Sequence, residues 1–520
     1  MKSISAFDVL TFTLLAAGPM VLIPLGILQL PSIYEGTSLY WIFGLSIILL
    51  LALAFNTVAL SSALPRAGGD YVFGSRIVNP IWGMIPSFMV LFSFVVGIGT
   101  LAVLTMIAYV GPAILTSYGA QYGSTVSNLF YTSQTNLFVV SALVLLAIFG
   151  LAMASTKAWF WFVRVVSVFA LIMMLVLIAY LFSANPNTVT ANFNAQLSTG
   201  MNSSTFMSNA AGAGWTAGLQ ASPITTAGAM IFVFFFLAAP ISAYFSGEIK
   251  NTSKSMMRGM FGGTIVSWII TIVGVSAFIV AFGLTFLSAF GYEAFLNPAT
   301  APTGAFSVNA LILAVVSNPN LAFIIGISIA LAVLGLTAAP ILPASRILFA
   351  WSFDRVIPQS FASVNRRTST PIFSIAIIAV LTIIVAGLDS YYMSTVGTFL
   401  ATTVIVAIAF LPNGVTAALL PYRRKDIFQA SPSLVQRKIG GIPLLTVSGL
   451  VHAIGFAVLI ILVLLNPAFS GTSNGALSVG AVSLILIALV VSIIFYPIAR
   501  ALRRSSGINL DLTFKEIPPE

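Results

Sequence analysis

The stretch AFDVLTFTLLAAGPMVLIPLGILQL, residues 6 to 30, decides the fold of this chain. It is an almost unbroken apolar run, and about 20 such residues are enough to cross a bilayer as a helix. The run is too long for the apolar part of a signal peptide, and it lacks a convincing small-residue cleavage site. We therefore expect it to remain in the protein as the first membrane-spanning helix.

Ala16-Ala17-Gly18-Pro19 interrupts this run near its middle. Proline removes a backbone donor and glycine loosens the helix, so in hydrocarbon the freed groups need protein or a water-filled cavity. A later apolar run carries Ala238-Ala239-Pro240 at a matching place, although the same tripeptide recurs at Ala338-Ala339-Pro340. Paired interruptions in corresponding helices favour an inverted-repeat transporter with its site at the breaks. The candidate binding residues are Ala16, Ala17, Gly18, Pro19, Met20, Ala238, Ala239 and Pro240.

The composition extends this interpretation to the whole chain, with 59% hydrophobic and only 6% charged residues. That balance is typical of a polytopic helical membrane protein. The long continuous runs exclude a β-barrel, whose strands are about ten residues long and alternate. Twelve transmembrane helices are expected, near residues 6 to 30, 38 to 63, 80 to 116, 135 to 155, 158 to 183, 225 to 247, 259 to 287, 320 to 350, 371 to 388, 391 to 420, 443 to 466 and 475 to 499.

The predicted fold class is an all-α polytopic membrane protein with a 5+5 inverted-repeat core. Residues 1-184 hold helices 1-5, and residues 225-420 hold helices 6-10, with helices 1 and 6 broken. An extracytoplasmic polar loop is expected at 185-224, and two peripheral helices with a cytoplasmic tail at 421-520. Because each repeat has an odd number of spans, the second copy is inverted in the membrane.

The 21 Lys and Arg residues follow alternate gaps between the apolar runs, whereas the other gaps hold only Glu35, Glu293 and Asp389 as charges. Short basic loops stay on the cytoplasmic side, so both termini are expected there, in a plasma membrane protein. The net charge of +10 is spread over short loops that meet anionic lipid headgroups, which argues against a nucleic-acid partner. Cysteine is absent, which excludes disulfides and thiolate chemistry. No cofactor or metal is expected.

Three loop segments carry a family resemblance. They are PRAGGDY at 65 to 71, GEIKN at 247 to 251, and SRILFA at 345 to 350 with Asp354 and Thr370-Pro371 beyond it. In this order and spacing they resemble the amino acid/polyamine/organocation transporter superfamily over about residues 1 to 420. The resemblance implies an amino acid permease that works by alternating access.

The same segments predict a cytoplasmic gate. Arg66, Glu248, Arg346 and Asp354 are expected at one membrane face, in ion pairs that break when the inner side opens. Within the gate, Arg66 and Asp70 can pair with charges of neighbouring loops. The other interpretation of the first loop is a tight turn whose charges are solvated. The candidate gate residues are Arg66, Gly68, Gly69, Tyr71, Glu248, Lys250, Arg346 and Asp354.

The substrate is expected to be a neutral, mainly apolar amino acid. No Asp, Glu, Lys or Arg lies in the middle of a predicted span, and intramembrane charges usually mark charged substrates or ions. Amides freed after the break can donate hydrogen bonds to the carboxylate, and released carbonyls can accept them from the ammonium group. The resemblance implies that Phe234 closes over bound substrate. The family's Gly-Phe-Glu is replaced by Ala238-Ala239-Pro240, so its glutamate and substrate choice do not transfer.

The residues leave two driving forces for transport open, a proton gradient and exchange for a counter-substrate. Thr337 lacks the neighbouring hydroxyl of sodium-coupled relatives, and Ala170, with Ser167 nearby, stands where some proton-coupled relatives have lysine. Thr337 and Ser167 are the candidate coupling residues. His452, the single histidine, is expected to pack or face lipid, which leaves too few groups for an enzyme. An amino acid sensor, an exchanger of polyamines or other organic cations, and a homodimer also remain open.

Overall fold

The computed structural model describes residues 3–16, 18–34, 36–197, 202–216, 222–237, 240–295, 307–365, 367–368, 370–392, 395–465, 479–510 and 514. These residues are overwhelmingly helical, which confirms the all-α class. Within these ranges the named strands are β1, Lys438–Ile439, and β2, Ile442–Pro443, which pair antiparallel.

The helices of the first half are α1 Ala6–Ala16, α2 Pro19–Ile33, α3 Leu39–Ala63, α4 Asp70–Ile77, α5 Pro80–Thr105, α6 Gly111–Ser127, α7 Gln134–Ala154, α8 Thr156–Ser183, α9 Pro186–Gln196 and α10 Ser203–Gly212. The helices of the second half are α11 Pro223–Leu237, α12 Thr252–Met256, α13 Gly262–Phe282, α14 Leu284–Phe295, α15 Val308–Val316, α16 Pro319–Ala338, α17 Ile341–Phe353, α18 Ile372–Tyr391, α19 Thr395–Arg423, α20 Lys425–Ala430, α21 Leu444–Leu464 and α22 Val479–Ser505.

In the described parts of the chain, 11 helical stretches are long and apolar enough to cross a membrane. The protein is therefore a multi-pass membrane protein. They are Ala6–Leu28, Leu39–Ala63, Pro80–Thr132, Gln134–Ala154, Thr156–Ser183, Thr252–Phe282, Pro319–Phe353, Ile372–Tyr391, Gly397–Arg423, Leu444–Leu464 and Val482–Ser505. Where the sixth span was expected, the apolar helix Pro223–Phe234 is shorter, so the count of twelve and the repeat stay predictions.

The predicted break in the first span is confirmed. Helix α1 ends at Ala16, Gly18 takes the left-handed conformation with φ 46° and ψ 45°, and Pro19 begins α2. Glycine adopts this conformation without steric cost, and proline at the first helical position loses no needed hydrogen bond. Ala17 lies outside the described residues. In the second half α11 ends at Leu237 and a 3-10 turn begins at Pro240, while Ala238 and Ala239 lie outside the described residues.

Close helix contacts hold the broken span in the core. A Cβ on Gly291 of α14 would lie 2.0 Å from the Leu28 carbonyl oxygen of α2. A Cβ on Gly335 of α16 would lie 2.6 Å from Leu15 Cδ1 of α1. Small residues let membrane helices approach this closely, so each half of the first span packs against a helix of the second half of the chain.

The third predicted span and the predicted polar loop both contain structure that the sequence did not indicate. The helical stretch runs on past the predicted end near residue 116, through π turns at Met106–Val110 and Asn128–Thr132. Such turns absorb the proline that follows Gly111 without ending the helix. The chain kinks at Tyr118, where φ is −138° and ψ is 25°, so the predicted end lies close to this kink. The predicted polar loop after α8 contains two short helices, α9 and α10, each capped by an asparagine side chain.

Candidate functional site

The break of the first span lies in buried surroundings. Ala16, Gly18, Pro19 and Met20 are all buried, and Pro240 of the second interruption is buried as well. The Gly18 carbonyl accepts from Val21 N at 2.8 Å and Leu22 N at 2.7 Å. A helix end leaves its last carbonyls, and a helix start its first amides, without intrahelical partners. The break therefore presents carbonyls of α1 and amides of α2 inside the protein.

The Phe234 ring of α11 packs against a row of aromatic side chains on α21. Its ring centroid lies 5.1 Å from that of Phe456, which lies 4.7 Å from the ring of His452. His452 Nδ1 is 3.3 Å from Asn56 Nδ2 of α3, and Ser448 Oγ donates to Asn56 Oδ1 at 2.6 Å. Of the two roles expected for His452, packing or facing lipid, the structure shows packing, because the side chain is fully buried.

The second ring nitrogen of His452, Nε2, lacks a hydrogen-bond partner among the described residues. With Asn56 donating to Nδ1, the neutral ring carries its proton on Nε2, and this nitrogen is buried. Sequence reasoning missed this cluster because it placed the eleventh span outside the repeats. The clue was Asn56, a polar residue in the middle of an apolar span.

Glu248 and Arg346 form a bidentate ion pair. Arg346 Nε donates to Oε1 at 2.8 Å and its Nη2 to Oε2 at 3.2 Å. The arginine side chain is 6% exposed and the glutamate 30%. Paired parallel N–H···O bonds are among the stronger charged contacts. They join the turn after α11 to α17, at the end of the bundle that holds Arg66, Arg76, Arg346 and Arg424, here called the arginine-rich end.

Asp354 belongs to a second, more deeply buried ion pair. Arg76 Nη2 donates to both of its carboxylate oxygens at 2.7 and 2.8 Å, and the Tyr71 hydroxyl donates to Oδ2 at 2.5 Å. The Arg76 and Asp354 side chains are only 1% and 3% exposed. The sequence singled out Asp354 and Tyr71 but not Arg76, their partner on α4. The ring of Phe514, beyond α22, lies 5.0 Å from Arg76 Cζ and covers the pair.

Asp70 is held by two neutral donors rather than by the neighbouring charges expected from the sequence. Asn413 Nδ2 donates to Oδ1 at 2.6 Å, and the Tyr244 hydroxyl donates to Oδ2. Burial raises the pKa of Asp70 to about 6, although both hydrogen bonds act to lower it. The contact joins α4, the turn after α11, and α19.

Gly68 and Gly69 allow this approach. Gly69 has φ +49°, and a Cβ there would lie 2.7 Å from Tyr244 Cδ1. Gly68 has φ +106°, and its Cβ would lie 2.6 Å from that of Ala350. Any side chain at either position would push the first loop away from α17 and from the turn after α11.

The N-terminal segment closes the same end. Arg164 of α8 pairs with Asp8 of α1, a carboxylate that also accepts from Ser5 N at 2.8 Å. Lys250 N donates to the Ile4 carbonyl at 2.9 Å. Ser246 Oγ donates to the Arg66 carbonyl at 2.9 Å. The structure thus brings the predicted gate segments to one end. It adds the pair Asp8–Arg164, which no local sequence pattern indicated.

The two candidate coupling residues are both buried within helices. Thr337 Oγ1 donates to the Val333 carbonyl of its own helix at 2.8 Å. Ser167 Oγ has no partner among the described residues. A buried hydroxyl without a partner is costly, so Ser167 is the better placed of the two to contact a ligand or ion.

A helical membrane protein with a buried break in its first span and ion pairs across one end has the architecture of a solute transporter. The family model described as "Amino acid permease" matches residues 7–494, and the chain belongs to this family of the amino acid/polyamine/organocation superfamily. The resemblance drawn from the three loop segments is thereby confirmed. No curated protein sequence matches the chain.

Proposed function

We propose that this protein is a secondary transporter that carries neutral, mainly apolar amino acids across the plasma membrane by alternating access. The buried break at Gly18 is the single observation that carries the proposal. The described residues on both sides of it, Ala16, Pro19 and Met20, offer backbone groups and apolar surface but no ionisable side chain. A site of this kind suits a zwitterion with an uncharged side chain.

The two helix ends recognise the two charges of the substrate. The amides that open α2 carry partial positive charge and attract the carboxylate, whereas the carbonyls that end α1 attract the ammonium group. Backbone that begins at Pro240, after the second interruption, completes the site. Phe234 covers the substrate, supported from behind by Phe456.

The arginine-rich end is the cytoplasmic gate, and both termini lie on that side. The one-sided distribution of Lys and Arg supports this orientation. Three contacts tie separate helices together there, namely Arg346 with Glu248, Arg76 with Asp354, and Asp70 with Tyr244 and Asn413. Inward opening separates α4, α17 and the turn after α11, so these contacts break as substrate is released.

Uptake into proteoliposomes tests this function. We expect neutral amino acids to compete best, because a charged side chain would lose several kcal/mol of hydration without a partner. Each 1.4 kcal/mol of that cost weakens competition about tenfold. Replacing sodium by potassium should leave uptake unchanged, because a proton gradient or a counter-substrate drives it. Ser167 and Thr337 are the residues that we propose for this coupling. Preferred uptake of arginine, glutamate or a polyamine would contradict the substrate class, and binding without uptake would indicate a sensor.

A further inference from the structure

An apolar groove runs along the outer surface of the bundle between α3 and α21. It has a volume of about 710 Å³ and ends near Tyr422 and Ile442, at the arginine-rich end. A Cβ on Gly455 would lie 2.3 Å from Leu49 Cδ2, so this glycine lets α3 approach α21 at the base of the groove. Leu49, Val447, Leu450, Ile454 and Gly455 are among the residues that line it.

Four cations stand next to Tyr422 and Ile442 along the chain, at this end of the groove. Arg423 and Lys425 follow Tyr422, and Arg437 and Lys438 precede Ile442, all with exposed side chains. The acid of this segment, Asp426, is already paired with Arg424 at 2.6 Å. An apolar cleft therefore leads directly into a cluster of positive charge that carries no balancing carboxylate of its own.

A short hairpin holds Lys438 next to two exposed isoleucines. Lys438 pairs with Pro443 across β1 and β2, and Ile439 pairs with Ile442, so the two isoleucines share one face. Ile439 is 62% exposed and Ile442 51%. Exposed isoleucines beside lysine suit the boundary between lipid tails and headgroups, where apolar groups enter the membrane and cations meet phosphate.

We propose that this groove binds one anionic phospholipid from the leaflet on the arginine-rich side. An acyl chain lies along Val447, Leu450 and Ile454, and the phosphate group meets the cations of Arg437 and Lys438. A second copy of this chain fits the groove less well. In a two-fold symmetric pair the same patch faces itself, which would set the four cations of one copy against those of the other.

Native mass spectrometry of the purified full chain tests the proposal with phosphatidylglycerol and phosphatidylcholine of the same acyl chains. We expect selective retention of phosphatidylglycerol. Each lysine or arginine near a membrane surface contributes about 1 kcal/mol toward anionic lipid, which is roughly fivefold in affinity. The double variant Arg437→Gln/Lys438→Gln should therefore bind phosphatidylglycerol about 25-fold more weakly. Leu450→Trp, which fills the groove, should lose both lipids.

The matched control is Lys254→Gln/Arg258→Gln, which removes two exposed cations outside the groove and should leave lipid binding unchanged. Equal retention of the two lipids by the unaltered protein, or an equal loss in the control, would overturn the proposal. If Leu450→Trp fails to fold, the two charge variants still decide the result. Because the chain has no cysteine, efficient disulfide cross-linking of an Ile454→Cys variant into dimers would assign the groove to a second copy instead.

Discussion

Asp354→Asn is expected to open the arginine-rich end far more than any exposed charge substitution. The variant leaves Arg76, whose side chain is only 1% exposed, without a charged partner. Removing one member of a buried pair costs about 3–5 kcal/mol, which corresponds to a population shift of roughly 100-fold or more. Asp426→Asn is the matched control, because that carboxylate is 63% exposed and exposed pairs contribute about 0–1 kcal/mol.

Thiol labelling measures the opening. Ser242 follows the second interruption and is fully buried, so Ser242→Cys is a single probe in a chain without cysteine. Its labelling rate by a water-soluble maleimide should rise about 100-fold or more with Asp354→Asn and stay unchanged with Asp426→Asn. A lowered melting temperature with an unchanged labelling rate would refute the gate, because the pair would then stabilise the fold in every conformation.

Three further outcomes are expected. Phe514→Ala removes a cation–π contact with Arg76, worth about 0.5–2 kcal/mol, and should raise the same labelling rate by less than Asp354→Asn does; no change would mean that the tail does not hold the gate. Burial raises the pKa of Asp70 to about 6, above the value near 4 of an unfolded aspartate. The stability that Asp70 contributes is therefore fully present below about pH 4 and is lost as the pH rises through 6. The gain in melting temperature from pH 7.5 to pH 5 should therefore shrink in Asp70→Asn, and an undiminished gain would refute that assignment. His452→Phe takes away one of the two acceptors of the Asn56 amide, which keeps its bond to the Ser448 carbonyl, and should slow uptake more than His452→Gln does. Equal rates would show that the hydrogen bond between His452 and Asn56 has no role.

The fold class could be predicted from sequence because each span carries its own signal in continuous apolar residues. The break at Gly18 was equally local, since glycine and proline act on their own backbone. Details inside a long span were harder, and no local pattern predicted the π turns of the third span or the kink at Tyr118. Two interruptions at matching places do not by themselves establish a repeat.

The partners at the arginine-rich end could be predicted only in part. Loop charges placed Glu248 and Arg346 on one side, but pairing depends on helix packing that no local pattern encodes. Arg76 reaches Asp354 because α4 packs beneath α17, and Asp70 finds Tyr244 because two glycines let the loop approach. The sequence left packing and lipid contact open for His452, because burial depends on which helix covers α21, and a single apolar span gives no sign of its neighbours.

The affinity of Gly18→Leu for a neutral amino acid tests the central claim most directly. The variant fills the break with a side chain, while Gly18→Ala imposes the same left-handed backbone strain with one methyl group, and Gly44→Leu adds the same bulk at an exposed helix position with open space around it. Equilibrium binding to monodisperse protein should be lost in Gly18→Leu, largely kept in Gly18→Ala and unchanged in Gly44→Leu. Unaltered affinity in a folded Gly18→Leu protein would contradict the placement of the substrate at the break.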